Sequence, residues 1–428
     1  MKTVGICTLG CKVNTYESEY VINELQRAGY EIKDFNDICD IYIINTCTVT
    51  NTSDVKSRKM IRSACKKNKN ALVIAMGCFI EANKNFSEDG VDIYLGTKDK
   101  SKIVRLIEDY YKNEEIIRDL YDKEEAEVFE DMYINNFPGR TRAFVKIQDG
   151  CENYCNYCII PYVRGKSRSK DKDEVIKEIK ELVANGYKEV VLTGINTGNY
   201  GKDINTSFSS LLEELIKIDG LKRLRISSIE ATEINEDILN ILKRSRIIVD
   251  HLHIPIQSGS NRILKLMNRK YDLNYYKEKI KKIREIRKDI AITTDIIVGY
   301  PEETDEDFSD TLETARSIAF AKIHVFPYSL RSNTPAAEIK EQVDGNIKKE
   351  RARKLLSLSK ELEINYFNKF IGKDKLVLIE NKKDGYSYGH TDNYLHVKIK
   401  GEFDSNTFVN VKLKEIDYPY INGEKIDE

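Results

Sequence analysis

The sequence predicts an α/β protein in three structured parts: an N-terminal open parallel α/β domain, a central partial (β/α)6 barrel and a small C-terminal all-β barrel. Three observations predict it. Short apolar runs alternate with amphipathic stretches through residues 1–110. The same alternation resumes at 141 and repeats six times, and after Gly372 the hydrophobic period changes to two.

In the first part, KTVGICTL, DIYIINTC, ALVIAMGC and VDIYLGT read as strands, with amphipathic helices around 17–28 and 54–67 between the first three. Strands separated by helices must run parallel, because the crossover returns the chain to the same edge. Residues 1–112 form this domain, and the charged stretch 113–139 reads as a solvated linker. The barrel spans 140–345. Its strands are AFVKI (143–147), KEVVLTG (188–194), RLRISS (223–228), VDHLHIPI (249–256), AITTDIIVG (291–299) and KIHVFPYS (322–329), with helices such as 173–186 and 275–288 between them. Six units fall short of the eight that close a full barrel. Residues 346–370 form one long helix with seven Lys/Arg against three Glu. In 371–428, KLVLIE, YLHVKIK and TFVNVKLKEID alternate as strands of a small barrel.

The 428 residues are 41% hydrophobic and 32% charged, with no apolar run long enough to span a bilayer. The start, MKTVGICTLGCKVN, lacks the pattern of a signal peptide, so a reducing cytoplasm is expected. There, nine cysteines point to metal ligation or catalysis rather than disulfides. A net charge of -1 gives no global attraction to nucleic acid, so any such contact must come from local patches.

CENYCNYC, residues 151–158, places three cysteines in one loop at the carboxyl end of the first barrel strand, where barrel active sites lie. Structural zinc needs a fourth ligand, and the nearest histidine in sequence is His251. Three thiolates on a four-iron cluster instead leave one iron open. Three buried free cysteines are the plain alternative. The C-x3-C-x2-C motif, with aromatic Tyr157 before its last cysteine, resembles the radical S-adenosylmethionine superfamily. That resemblance implies that Cys151, Cys155 and Cys158 hold a [4Fe-4S] cluster whose open iron binds S-adenosyl-L-methionine. It also implies cofactor contacts from Tyr157, from Gly194 in LTGIN and from the rim residues Ser228, Glu230 and Gln257. Ordinary loop chemistry is the competing reading of the rim residues. His251 and His253 are expected in or beside their strand rather than on a metal.

Cys11, Cys47 and Cys78 each close a strand of the N-terminal sheet. Parallel strands put their carboxyl ends on one edge, so three thiols far apart in sequence should converge there. A second iron–sulfur cluster is the expectation, against a coincidence of strand ends. Cys7 reads as core, and neither Cys39 nor Cys65 has a ligand's placement. The stretches TLGCKVNTYESE, NTCTVT, MGC and RTRAFVKIQDGCENYCNYCIIPYVRGKSRSK resemble the methylthiotransferases over essentially the whole chain. CKVN resembles the branch acting on N6-threonylcarbamoyladenosine. The resemblance implies two [4Fe-4S] clusters, S-adenosyl-L-methionine, a C-terminal TRAM module, and methylthio insertion at C2 of that nucleoside at position 37 of tRNA. It further implies an electron donor of flavodoxin or ferredoxin type, and leaves the sulfur donor unidentified.

An anticodon loop would be met by phosphate contacts and stacking. The expected contacts are Arg164, Lys166 and Arg168 beyond the cluster loop, Lys348, Lys349, Arg351, Arg353 and Lys354 on the long helix, and Tyr386, Tyr388 and Tyr394 in the last module. A solvated face is the alternative for the helix. From 370 onward nine Lys face eleven acids, so that module cannot attract RNA by bulk charge. Competing functions are methylthiolation of isopentenyladenosine-37 or of a ribosomal-protein aspartate. A nonenzymatic RNA-binding protein with structural metal sites is a further competitor.

Overall fold

The structure, a computed structural model, describes residues 1–120 and 128–426. Its N-terminal sheet has six parallel strands: β1 (Thr3–Thr8), β2 (Glu31–Lys33), β3 (Ile41–Thr46), β4 (Leu72–Gly77), β5 (Ile93–Leu95) and β6 (Ile117–Asp119). They lie in the order β2-β1-β3-β4-β5-β6, so the winding reverses between β1 and β3. That reversal opens a crevice at the carboxyl edge, the usual ligand position in such sheets. β3 and β4 are buried throughout, as two covered faces require. The helices Lys12–Arg27 and Ile103–Asn113 cover one face, and Asn51–Lys67 covers the other.

The central part contains β7 (Arg142–Lys146), β8 (Gln148–Asp149), β9 (Arg168–Ser169), β10 (Glu189–Thr193), β11 (Arg223–Ile226), β12 (His251–His253), β13 (Ala291–Val298) and β14 (Lys322–Pro327). Six parallel strands form two trios, β7-β10-β11 and β12-β13-β14. A bridge from Leu224 to Ile248 joins the trios. This is the open arc of six βα units that the sequence predicts. β8 and β9 form a separate antiparallel clip, and the three-cysteine loop lies between them.

The N-terminal helix Lys12–Arg27 is shared by two cores. Val21 and Leu25 pack on the first sheet, while Tyr16 and Tyr20 pack into the barrel core. Residues 113–139 differ from the solvated linker expected there. Ile117–Asp119 pairs with β5, and Met132, Ile134 and Phe137 are fully buried in the barrel core. Burying each such side chain contributes about 1.5–3 kcal/mol, so this stretch is structural. The part of it at 121–127 lies outside the described residues.

The long helix, Gly345–Asn368, packs Leu355, Leu358 and Leu362 into the barrel core. Its last turn, with Tyr366 and Phe367, enters the core of the C-terminal module. That module is a closed barrel of β15 (Asp374–Lys383), β16 (Tyr386–His390), β17 (His396–Lys400), β18 (Phe408–Asp417) and β19 (Tyr420–Lys425). It docks on the central barrel through Arg223, which donates to the carbonyls of Leu376 (2.7 Å) and His390 (2.9 Å).

Candidate active site between two cysteine sets

Cys11, Cys47 and Cys78 all sit where a strand gives way to a helix. Cys11 caps Lys12–Arg27, Cys47 lies four residues before Asn51–Lys67, and Cys78 opens Cys78–Ala82. Desolvation pushes all three thiols up, and the Arg164 charge works against that rise in each. The loops are pinned by amides: Asn14 Nδ2 donates to the carbonyls of Leu9 (2.8 Å) and Thr46 (2.9 Å). Ser57 Oγ donates to the Cys47 carbonyl at 2.9 Å. Gly10 has φ of +101°, and a Cβ on it would lie 2.9 Å from Cys47 Sγ. The thiols are close enough to perturb one another, Cys47 on Cys11, Cys78 on Cys47, and Cys11 on Cys78.

A buried charge network lies against this trio. Arg164 Nε donates to Cys78 Sγ at 3.3 Å. Its other nitrogens donate to Glu17 (2.9 Å), Asp149 (3.0 Å) and Asn14 (2.9 Å). Lys146 bridges Glu17 (2.9 Å) and Asp149 (2.6 Å), with Lys100 at 3.6 Å from Glu17 and Arg168 at 3.8 Å from Asp149. Burial would raise the Glu17 carboxyl, yet Arg164, Lys100 and Lys146 hold it down to about 2. Asp149 is likewise held well below the carboxylate range by Arg164 and Lys146, against its burial. Four cations thus face two carboxylates beside Cys78. The surplus positive charge suits a group carrying thiolate charge, which is how three ligated cysteines would present themselves.

Cys151, Cys155 and Cys158 gather in the loop between β8 and β9. Gly150, with φ of +73°, lets the loop turn, since a Cβ there would lie 1.9 Å from the Lys166 carbonyl oxygen. Burial pushes the Cys151 thiol up to about 11 and the Cys158 thiol up to about 12, helped in both by neighbouring thiols. Metal binding must therefore displace protons. Arg269 Nη1 lies 3.5 Å from Cys155 Sγ and 3.4 Å from the Tyr157 hydroxyl, and Nη2 pairs with Glu230. Cys78 also packs with Ile159 and Val163, which directly follow this motif, so the two trios share a wall.

Two adjoining cavities open between the domains and share Asp295 and Phe326. Cys158, Tyr157 and Gln257 line the first, together with Val49 and Thr50 beyond Cys47. Gln257 adopts φ of 69°, an uncommon conformation for this residue that aligns with the site. The second, about 520 Å³, is lined by Cys11, Lys12, Gly194, Ser228, Arg225, His251 and Tyr394. Glu230 lines neither cavity and is engaged by Arg269. His251 and His253 lie on β12, as expected. Burial, then the Arg225 charge, holds His251 well below the imidazole range and keeps it neutral.

Three expected RNA contacts are corrected. Arg164 and Arg168 are buried in the network described above. Arg351 is buried too, donating to Glu303 (2.7 Å) and Asp305 (2.8 Å). Long cationic side chains close in sequence to a site read as surface contacts; their burial depends on acids distant in the chain. Lys166, Lys349, Arg353 and Lys354 are exposed, whereas Lys348 is half-buried. Tyr386 lies under the Lys398 ammonium at 4.6 Å, and Tyr388 packs against Tyr420 with the rings tilted by 58°. Tyr394 packs between His251 and His390 on the wall of the second cavity and is still 36% exposed. Arg269, Glu17, Lys146, Asp149 and Arg225 are site residues that the motifs did not reveal.

Residues 145–315 match the radical SAM superfamily, and residues 3–96 match a family described as uncharacterized protein family UPF0004. Over 99% of its length the chain is 43% identical to the threonylcarbamoyladenosine tRNA methylthiotransferase MtaB of Bacillus subtilis, covering 96% of that protein. The chain belongs to the radical SAM methylthiotransferases. MtaB of Thermotoga maritima is 39% identical over 97% of the chain and 95% of its own length. The tRNA-2-methylthio-N(6)-dimethylallyladenosine synthase of Carboxydothermus hydrogenoformans is 36% identical over 89% and 88%. Among solved structures, the radical S-adenosylmethionine methyltransferase TsrM of Kitasatospora setae superposes with a TM-score of 0.58 at 13% identity. That match covers 78% of this chain and 76% of TsrM, and the likeness is one of fold. As a methylthiotransferase of this type the protein is a transferase using S-adenosylmethionine and two iron–sulfur clusters. Its two thiol trios, one beside surplus positive charge, fit those clusters.

Proposed function

We propose that this enzyme adds a methylthio group to C2 of N6-threonylcarbamoyladenosine at position 37 of tRNA. The observation that carries the reading is the end-to-end match to relatives named for that nucleoside, on a chain whose two thiol trios contribute Cys158 and Cys11 to adjoining cavities. Cys151, Cys155 and Cys158 would hold one cluster, and Cys11, Cys47 and Cys78 the other. When bound, the clusters and S-adenosylmethionine would supply the radical chemistry and the methyl group.

The protein's own contribution is placement. Arg164 and Lys146 neutralise Glu17 and Asp149, and so fix the N-terminal helix against the cluster loop. Arg331 makes a second tie, donating to Thr48 (2.6 Å) and pairing with Asp54 (2.8 Å). Together these ties join the N-terminal sheet to the central barrel beside the two adjoining cavities. The exposed side chains of Lys166, Lys349, Arg353 and Lys354, with the half-buried Tyr386 and Tyr388, are the contacts this reading assigns to an anticodon loop. The reading calls for an electron donor of the flavodoxin or ferredoxin type. It also calls for a reducing compartment such as the cytoplasm, where nine free thiols persist. No described helix is long and apolar enough to cross a membrane.

Nucleoside mass spectrometry of tRNA from a deletion strain tests the reading. The methylthio group should disappear from N6-threonylcarbamoyladenosine and persist on isopentenyladenosine. The opposite pattern would assign the enzyme to the other branch.

A further inference from the structure

Arg225, on β11, is buried, with a side chain 2% exposed. Its Nε donates to Glu189 Oε1 at 2.8 Å, but Nη1 and Nη2 are buried without a partner. A guanidinium presents its donors as a fixed fork, and a fork left half-empty in a protein interior is costly unless something fills it. Glu189 cannot neutralise the region, because its other oxygen faces Arg223 at 3.5 Å. The Arg225 guanidinium lies over the Tyr394 ring at 4.6 Å, which fixes its plane.

Arg225 and Lys12 both line the 520 Å³ cavity that Cys11 shares. Lys12 has no ion pair among the described residues, and the two cations are close enough to oppose one another. Lys322, a third cation on the wall, is already paired with Glu363 at 3.0 Å. Asp295, the one carboxylate among the lining residues, faces His253 at 3.3 Å. The cavity therefore offers two cations without an ion-pair partner of their own in it, against one carboxylate, Asp295, that is directed at His253.

We infer that Arg225, assisted by Lys12, forms a subsite for the carboxylate of the substrate's threonyl group. The inference rests on the substrate proposed above. That group carries a carboxylate at neutral pH, and a dimethylallyl group carries none, so one buried fork would discriminate between the two branches of the family. A carboxylate accepting both free Nη groups satisfies the fork and cancels the charge, whereas a hydrocarbon leaves both unmet. S-adenosylmethionine also has a carboxylate. The substrate is favoured because Arg225 lies over Tyr394 of the C-terminal module and shares its cavity with Cys11; Gly194 and Ser228, expected cofactor contacts, line this cavity too, so the cofactor-binding arm of the test separates the two.

The test measures binding of the full-length protein to an anticodon stem-loop RNA carrying N6-threonylcarbamoyladenosine, and to the same RNA with the carboxylate amidated, at one salt concentration. Wild type should bind the free acid roughly 10- to 100-fold more tightly, the range expected for losing charge-assisted hydrogen bonds. R225Q should lose most of that preference, R225K should regain part of it, and K12Q should reduce it to a smaller degree. Equal wild-type binding of acid and amide overturns the inference without recourse to any variant. R225Q that keeps the preference, or that instead loses binding of S-adenosylmethionine in the absence of RNA, also overturns it. The substrate proposal fails separately, if the deletion strain lacks the methylthio group on isopentenyladenosine only.

Discussion

Arg164 touches Cys78, Glu17, Asp149 and Asn14 with one guanidinium, so a single side chain joins the two cysteine sets. R164A removes one of the two cations, the other being Lys146, that bridge the buried carboxylates Glu17 and Asp149. Its expected cost is about 3–5 kcal/mol in a denaturant titration, with less iron retained by the Cys11/Cys47/Cys78 set. Glu17 also makes stability depend on pH. Its folded carboxyl sits at about 2, below an ordinary value of 4.5, so its contribution is full above pH 4.5 and fades as pH falls towards 2. The shift corresponds to about 3 kcal/mol, and E17Q should flatten this part of the pH–stability curve. An acid limb equally steep in wild type and E17Q would contradict the assignment. The cysteines of this site were legible because thiols at loop spacing or at strand ends have few structural uses. Their charged supports were not: Glu17 and Arg164 lie 147 positions apart, and no local pattern pairs them.

Between strands and helices, the decisive feature is the β8–β9 clip that carries CENYCNYC. G150A puts a methyl group into the Lys166 carbonyl at a position where φ is +73°. We expect it to lose the iron of the Cys151/Cys155/Cys158 set while the other set keeps its own, measured as iron per chain after anaerobic reconstitution. Retention of both would show that the clip can open at little cost. All six barrel strands and the long helix were legible from periodicity. β2 and β6 were not, because a three-residue edge strand has too few positions to show a period. β16 escaped for another reason. Its inward positions are Ser387 and Gly389, and a Cβ on Gly389 would lie 2.1 Å from the Leu378 carbonyl oxygen, so the interior there admits no large apolar side chain.

Across the whole molecule, three parts enclose one workplace. The N-terminal sheet contributes Cys11, the central barrel Arg225 and His251, and the C-terminal barrel Tyr394 to the same cavity wall. The three-part architecture followed from periodicity, and the convergence of strand-end cysteines from the geometry of parallel sheets. How the parts meet did not, because the buried stretch around Met132–Phe137 reads as charged linker and its apolar residues have no period. The central claim is that the two trios hold separate clusters with separate tasks. It is tested most directly by assaying 5′-deoxyadenosine and methylthiolated nucleoside in parallel, using a variant with Cys11, Cys47 and Cys78 replaced by Ala. The variant should retain about four irons, one cluster on three thiolates, and should still form 5′-deoxyadenosine while making no methylthiolated nucleoside. Methylthiolated product from a folded variant holding only those four irons would contradict the account.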